Sequence, residues 1–284
     1  DDPQSQAINN AVDAGIVAVI AAGNSGPNGG TILSPGLAKK AITIGASYKK
    51  DYEGNYWEDS NPKKDQITLF SSRGPVDWTD INGVSQSLIK PDIVAPGALI
   101  CAARYDSIFA EGEHQFYKPC LDEEHVQLAG TSMATPHVAG AVALIKQAHP
   151  DWTPEEIKQS LKSTAKDLSL LSIVQGAGRI NVLKTVKLTS SLNTYWDFGI
   201  TSPNQNNVFN VYDKFQIKGV FPQGYDSLKV DYSNDEINWA TNGITLIGSG
   251  NVLAEFNPGG VITQTGDYFI RATISKSGII KTSQ

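Results

Sequence analysis

LAGTSMATPHVAGAVALIKQAHP, Leu128 to Pro150, packs a glycine, a serine, a proline and a histidine into its first half and continues as alanines and aliphatics. From Ser132 to Ala148 the apolar residues fall on nearly every side of a helical repeat, which predicts a central, buried helix. Gly130 and Thr131 make a tight entry to it. Ser132 opens the helix, where unpaired backbone N–H groups and the positive end of the dipole gather. Those donors suit a nucleophile whose carbonyl adduct becomes an oxyanion, and they equally suit a plain N-cap serine. His137 does not serve as its base: five residues along a helix is about 500° of rotation, which turns its side chain roughly 140° away from Ser132.

Upstream, Ala7, Ile8, Ala11 and Val12 share a helical face that Gly15 terminates. IVAVIAAG (16–23) follows as a short β-branched run, the pattern of a strand buried on both faces of a parallel sheet. AITIGAS (41–47), ITLFSS (67–72) and DIVAPG (92–97) read as further strands punctuated by Gly and Pro. In DWTPEEIKQSLKSTA, Thr153 is an N-cap, Pro154 sits at N1 and Glu156 completes a capping box. GAGRINVLKTV (176–186) predicts a turn and a short helix. From Ser190 the helical periodicity stops. DKFQIKGVF, DSLKVDYS, GNVLAEF and GDYFIRATIS alternate as strands between Gly, Asn, Pro and Asp clusters, an all-β sandwich pattern with Trp239 and Tyr268 as core aromatics and no clear strand in the last ten residues. The expected organisation is an α/β domain over 1–189 and a β-sandwich segment over 190–284.

GTSMATPHVAG (130–140) resembles the nucleophile motif of the subtilisin-like serine proteases. AAGNSG (21–26) is similar to that family's oxyanion segment, and SPGLAKKAITIGAS, FSSRGP and KPDIVAPG resemble its connecting segments in the same order. The resemblance implies a three-layer fold around a mostly parallel sheet, with Ser132 as nucleophile and Asn24 as oxyanion donor. It also implies that Ala21, Ala22, Gly23, Leu33, Gly130 and Thr131 border the substrate, with Ile32 beside Leu33 at a pocket floor and an apolar or aromatic preference. From composition alone, Asn24 is equally a turn residue in GNSGPNGG. In subtilisin the triad order is Asp, His, Ser, yet neither a D-T/S-G nor an H-G-T motif occurs here. The chain is therefore expected to be the C-terminal portion of a catalytic domain followed by an Ig-like module, inactive alone, its aspartate and histidine supplied by upstream sequence. The competing reading is an inactive scaffold kept for binding or for a cell-surface role.

Several classes are excluded by totals. A net charge of −6 over 284 residues lacks the clustered Lys and Arg that nucleic acid demands, and no apolar run is long enough to span a membrane. The expected partners are a peptide or protein substrate and the N-terminal part of the same domain, outside the cell or at its surface. Cys101 and Cys120 read either as two buried thiols or as a bridge tethering the polar, aromatic excursion between them, which would stabilise by about 3 kcal/mol. No histidine cluster points to a metal and no cofactor is required. Calcium as a structural ion is a habit of the family, but Asp77, Asp80 and Asn82 do not fit a regular calcium loop and are better read as solvated.

Overall fold

The structure, a computed structural model, describes residues 2–48, 66–79, 82–104, 118–122, 124–191, 196–203, 207–210 and 212–284. Asp80 and His114 lie outside them.

Helix α1 (Pro3–Asp13) starts on Asp2, whose carboxylate accepts from the N–H groups of Gln4 and Ser5, and Gly15 follows it at φ 95°. Three strands then form a parallel sheet in the order β1 (Val19–Ala21), β2 (Ile42–Ser47), β5 (Ile93–Pro96). β2 is buried at all six positions, as its central place requires. Its Ile42, Ile44 and Ala46 join Ile93 and Ala95 of β5, Ala134, Val138, Val142 and Ile145 of α2 (Thr131–Ala148) and Ile157 and Leu161 of α3 (Pro154–Thr164) in one core. The capping box at Thr153 and Glu156 is complete. Beside this layer lie the hairpin β3–β4 (Val76–Thr79, Ser85–Leu88) and a small sheet of β6 (Ile100–Ala103), β7 (Lys118–Pro119) and β8 (His125–Leu128). Cys101 of β6 is bridged to Cys120, with Cα atoms 5.9 Å apart. Two short helices, α4 (Ser172–Gln175) and α5 (Val182–Val186), complete this part.

Three expectations need correction. Helix α2 is buried along one side only: Ala139, Gly140, Ala143 and Leu144 are exposed, because its core neighbours all lie on the sheet side. ITLFSS is not a strand. Beyond a single bridge from Ile67 to Ser47, its backbone is spent on loops: Phe70 O accepts from Gly26 N–H, and Ser72 N–H donates to Gly23 O. IVAVIAAG is not buried throughout: it supplies only the three-residue β1, half-buried at the edge of the described sheet, and Ile16 ahead of it is exposed. His149, after α2, stacks on Trp152 at 4.0 Å and its Nε2 meets Val186 O of α5.

Residues 199–283 form two antiparallel sheets, β12–β13–β10–β9 (Ile244–Ser249, Val252–Phe256, Phe215–Val220, Gly199–Ser202) and β11–β14–β15 (Ser227–Ser233, Phe269–Lys276, Ile279–Ser283). Their inner faces share one apolar cluster, including Ile200, Ile217, Val230, Tyr232, Leu253, Phe256 and Ile274. The last residues do contain a strand: Ser277 and Gly278 both have positive φ, the two-residue turn that folds β15 back on β14. Trp239 is not a core residue; it lies under the Arg271 guanidinium at 3.8 Å and donates to Glu236 O, whereas Tyr268 packs at the margin of the cluster.

Candidate active site

The carboxyl ends of β1, β2 and β5 converge on the start of α2, the edge at which open parallel sheets place their sites. Gly97 N–H donates to Ser47 O, and Gly130 N–H donates to Gly97 O at 2.8 Å, so the helix entry is tied to the ends of β2 and β5. The approach is close. A Cβ on Gly97 would stand 2.7 Å from Ala46 Cβ and 2.8 Å from Gly130 O, so only glycine lets the helix entry lie against the strand ends.

Gly130 is the N-cap and offers no side chain, which leaves the first-turn donors to other partners. Thr131 N–H donates to Asn24 Oδ1 at 2.9 Å, while Met133 and Ala134 N–H share Gly130 O at 3.0 and 3.3 Å. Among the described residues the Ser132 N–H has no acceptor and the Ser132 hydroxyl no partner. Ser132 therefore does not act as a cap: it is the second helical residue, exposed, its hydroxyl unspent.

Asn24 is held from behind. Its Oδ1 accepts from both Thr131 N–H and Thr131 Oγ1, at 2.9 and 3.0 Å, and the Thr131 hydroxyl in turn accepts from Gly23 N–H at 3.2 Å. Because a backbone N–H needs an oxygen opposite it, this fixes the amide's orientation and leaves Nδ2 as an unspent donor. Nδ2 lies on the Gly130 side, 3.4 Å from where a Cβ there would stand. Gly23 has φ 107°, and a Cβ on it would stand 2.9 Å from Ser72 Oγ. The loop beyond it is laced to residues 70–74: Ser25 N–H donates to Ser72 Oγ, Gly30 N–H to Gly74 O and Thr31 N–H to Arg73 O. FSSRGP thus braces the asparagine loop.

The segments expected at a substrate pocket are adjacent. Gly36 lies against Ala21 O and the Ile32 side chain, which brings 32–36 beside the end of β1. Ile32 points inward and is buried, Leu33 is 60% exposed, and the Ala22 methyl is fully buried. Ala21 and the Gly23 backbone are what this segment offers to a ligand.

No described histidine reaches Ser132. His137 Nδ1 is bonded to Met133 O at 2.8 Å, His125 to Asp122 at 2.6 Å and His149 to Val186 O. Among the described residues no group of three or more His, Cys, Asp or Glu could hold a metal ion. Asp77 is bonded to Ser87.

The opposite, amino-terminal end of the same sheet holds a buried ionic cluster that sequence reasoning missed. Asp92 Oδ2 accepts from Lys90 Nζ at 2.7 Å and from Thr43 N–H at 2.8 Å, and its Oδ1 lies 3.1 Å from Lys158 and 3.5 Å from Lys162. Lys90 also donates to Ala38 O, Ala41 O and Thr43 Oγ1. Burial drives the Lys90 ammonium down to about 7 against the pull of Asp92. Burial alone would raise Asp92, but the three ammoniums hold it well below the usual carboxylate range. Lys162 reaches on to Asp197, at 2.8 Å, just before β9.

Residues 1–180 match the family model described as the subtilase family. The chain is similar to the serine protease AprX of Bacillus subtilis, 38% identical over 187 residues that cover 66% of the chain and 38% of that protein. It is also similar to pyrolysin of Pyrococcus furiosus, 35% identical with 68% and 14% covered. A third relative is the subtilisin-like protease SBT2.5 of Arabidopsis thaliana, 40% identical with 40% and 12% covered. The chain thus spans between 12% and 38% of the length of these relatives. Among solved structures, fervidolysin of Fervidobacterium pennivorans aligns over 96% of the chain and 34% of its own at 22% identity and a TM-score of 0.48. A family model matched over residues 1–180, beyond half of the 284, settles the kinship: the chain belongs to the subtilase family.

Proposed function

We propose that this chain carries the nucleophile and oxyanion site of a secreted serine endopeptidase. The Ser132 hydroxyl attacks the scissile carbonyl and passes its proton to an imidazole. The carbonyl oxygen, now an anion, accepts from the Ser132 N–H and from Asn24 Nδ2. Collapse expels the amine with the proton returned by the imidazolium, and water releases the acyl group from Ser132 by the same steps. The observation that carries this reading is the pair of unspent donors beside an unspent hydroxyl, with the Asn24 oxygen tied to Thr131 so that its nitrogen is free. A scaffold kept only for binding has no need of that arrangement.

The imidazole and its carboxylate come from polypeptide upstream of residue 1, which folds against this part as its partner. Ala21, Gly23, Leu33, Gly130 and Thr131 border a peptide substrate, and residues 190–284 are an Ig-like β-sandwich module. Calcium, if the protein uses it, serves structure and not chemistry.

The test is labelling by a fluorophosphonate. A longer polypeptide including the upstream sequence is expected to label at Ser132, and the chain 1–284 alone to remain unlabelled. Asn24→Ala should reduce peptide turnover by about 10²–10³, the scale set by the equivalent donor in subtilisin. Thr131→Val, which removes the hydroxyl that holds Asn24 Oδ1 but not the backbone bond, should lower kcat with little change in KM. Labelling that persists in Ser132→Ala would refute the assignment.

A further inference from the structure

At one end of the two C-terminal sheets, the loop after β11 and the loop between β13 and β14 enclose a cleft of about 240 Å³. Tyr232, Asn234, Asn238, Thr263, Gln264 and Tyr268 line it. Its volume is just under the roughly 300–1,000 Å³ of pockets for drug-sized molecules, so it suits one ring-sized group.

Both walls are fixed in advance. Asp235 Oδ1 accepts from Ser233 Oγ, Ile237 N–H and Asn238 N–H, at 2.8, 2.9 and 2.8 Å, and its Oδ2 takes Asn238 Nδ2 at 2.7 Å. These bonds, the Asn238 backbone first, hold its carboxyl well below the usual range. Across the cleft the Tyr268 hydroxyl donates to Gln264 O at 3.2 Å. Tyr232 forms the floor, its ring 4.6 Å from that of Phe256 and 6.4 Å from that of Tyr268. It is 7% exposed, yet its hydroxyl has no hydrogen-bond partner among the described residues. The hydroxyl is not sealed from solvent, so it offers the cleft a donor and an acceptor that no described neighbour uses. Burial, with Tyr268 nearby, also pushes its ionisation up, which keeps it a neutral donor and acceptor.

The chemistry of the lining selects the ligand. Phenol, hydroxyl and carboxamide each donate and accept, as sugar hydroxyls do, and the two tyrosine rings offer apolar faces. None of the lining residues bears a formal charge at neutral pH. Two neighbouring carboxylates are occupied, Asp235 as above and Glu236 by Gln284 Nε2 at 2.8 Å. At Tyr232 strand addition by a peptide finds no open backbone, because Tyr232 and Ala240 exchange both of their N–H and C=O groups with each other at 2.9 Å. We propose that this cleft between the loops 234–238 and 261–268 binds one ring of a neutral oligosaccharide, making the C-terminal segment a carbohydrate-binding unit. The inference does not depend on the chemistry of Ser132.

Four probes test it on the whole chain by isothermal titration and saturation-transfer NMR: the hexaoses of β-1,4-glucose, β-1,3-glucose, α-1,4-glucose and β-1,4-N-acetylglucosamine. At least one is expected to bind with Kd of about 1 mM or tighter. Tyr232→Phe, which removes only the unpartnered hydroxyl, should weaken it by about five- to tenfold. Asn234→Ala should do the same from an exposed loop position where folding is not at stake. The proposal is overturned if none of the four binds at concentrations up to about 10 mM, if a bound saccharide is indifferent to both substitutions, or if the neutral tripeptide Gly-Asn-Gly binds more tightly than every saccharide.

Discussion

Replacing Asp92 by Asn leaves shape nearly unchanged and removes one negative charge from a place where three ammoniums converge. Asp92 is 2% exposed and lies within 2.7 to 3.5 Å of Lys90, Lys158 and Lys162. A second carboxylate, Asp197, pairs with Lys162. The substitution therefore orphans buried cations and also presents an amide where the Thr43 N–H now finds a carboxylate oxygen at 2.8 Å. Breaking one buried pair by deleting a partner costs about 3–5 kcal/mol, because the remaining charge stays desolvated. That is comparable to the roughly 5–15 kcal/mol total stability of a domain. At about 2–4 °C per kcal/mol the unfolding midpoint should fall by roughly 6–20 °C. The control is Asp13→Asn, which breaks the Lys40–Asp13 pair at the surface; exposed pairs are worth about 0–1 kcal/mol. Calorimetry and urea unfolding of both variants at pH 7 decide the matter. If Asp92→Asn loses no more than Asp13→Asn, then the cluster is not under electrostatic strain and the reasoning fails.

The same cluster sets a pH dependence. Lys90 titrates near 7 when folded and near 10.5 when unfolded, so between those values the unfolded chain binds more protons. Stability must therefore rise with pH across that window and level off above it. Lys90→Met should flatten the slope in the urea midpoint between pH 7 and 10, and an unchanged slope would show that Lys90 keeps its proton in the fold. At the other end of the sheet, Gly97→Ala drives a methyl to within 2.7 Å of Ala46 Cβ and 2.8 Å of Gly130 O. It should cost about 1–3 kcal/mol by overpacking and shift the amide resonances of Gly130, Thr131 and Ser132; silence at those three amides would mean that the entry has room to spare.

How much of this was legible varied with where each residue's partners lie. AITIGAS could be read as a strand because β2 is central and every residue of it is buried, so composition and environment agree. ITLFSS has similar composition and became a brace, since its partners are the glycine-rich loop 23–31 and not a neighbouring strand. Nothing in a β-branched run announces which of those will be supplied. The Ser277–Gly278 turn was within reach: two residues able to take positive φ between GDYFIRATIS and IIKTS are a hairpin signal. So was a hint of the ionic cluster. Lys158 and Lys162 sit four apart on α3, next to Ile157 and Leu161 on its buried side, a poor place for lysine unless a carboxylate waits there. That the carboxylate is Asp92, in KPDIVAPG, could not be read, because the pairing is made by β5 and α3 meeting across more than sixty residues. Ser132 and Asn24 were picked out by motif resemblance; the bond from Thr131 N–H to Asn24 Oδ1 that brings their segments together is a product of the fold.

The sheet explains why reactivity and charge burial can coexist in so small a core. β2 and β5 are parallel, so their amino ends share one edge and their carboxyl ends the other. At the amino edge Thr43 and Asp92 meet the lysines, and there the backbone carbonyls of Ala38, Lys39 and Ala41 solvate cations in place of water. At the carboxyl edge Gly130 N–H donates to Gly97 O and Gly97 N–H to Ser47 O, and beyond Gly130 the Ser132 N–H is left without an acceptor among the described residues. Strands of four to six residues, at about 3.3 Å each, separate the two by on the order of 15 Å. On the proposed mechanism, a surplus of positive charge near Ser132 would make a protonated imidazole harder to form and so slow the attack it serves. Keeping three lysines at the far edge, and reducing their surplus with Asp197 from the segment that leads into β9, leaves helix α2 to set the field at the serine. Moving that surplus, for instance by a lysine at Ser25 beside Asn24, should shift the acidic limb of the pH–rate profile of the longer polypeptide to lower pH while lowering its plateau, and leave the amino-edge stability window between pH 7 and 10.5 where it is.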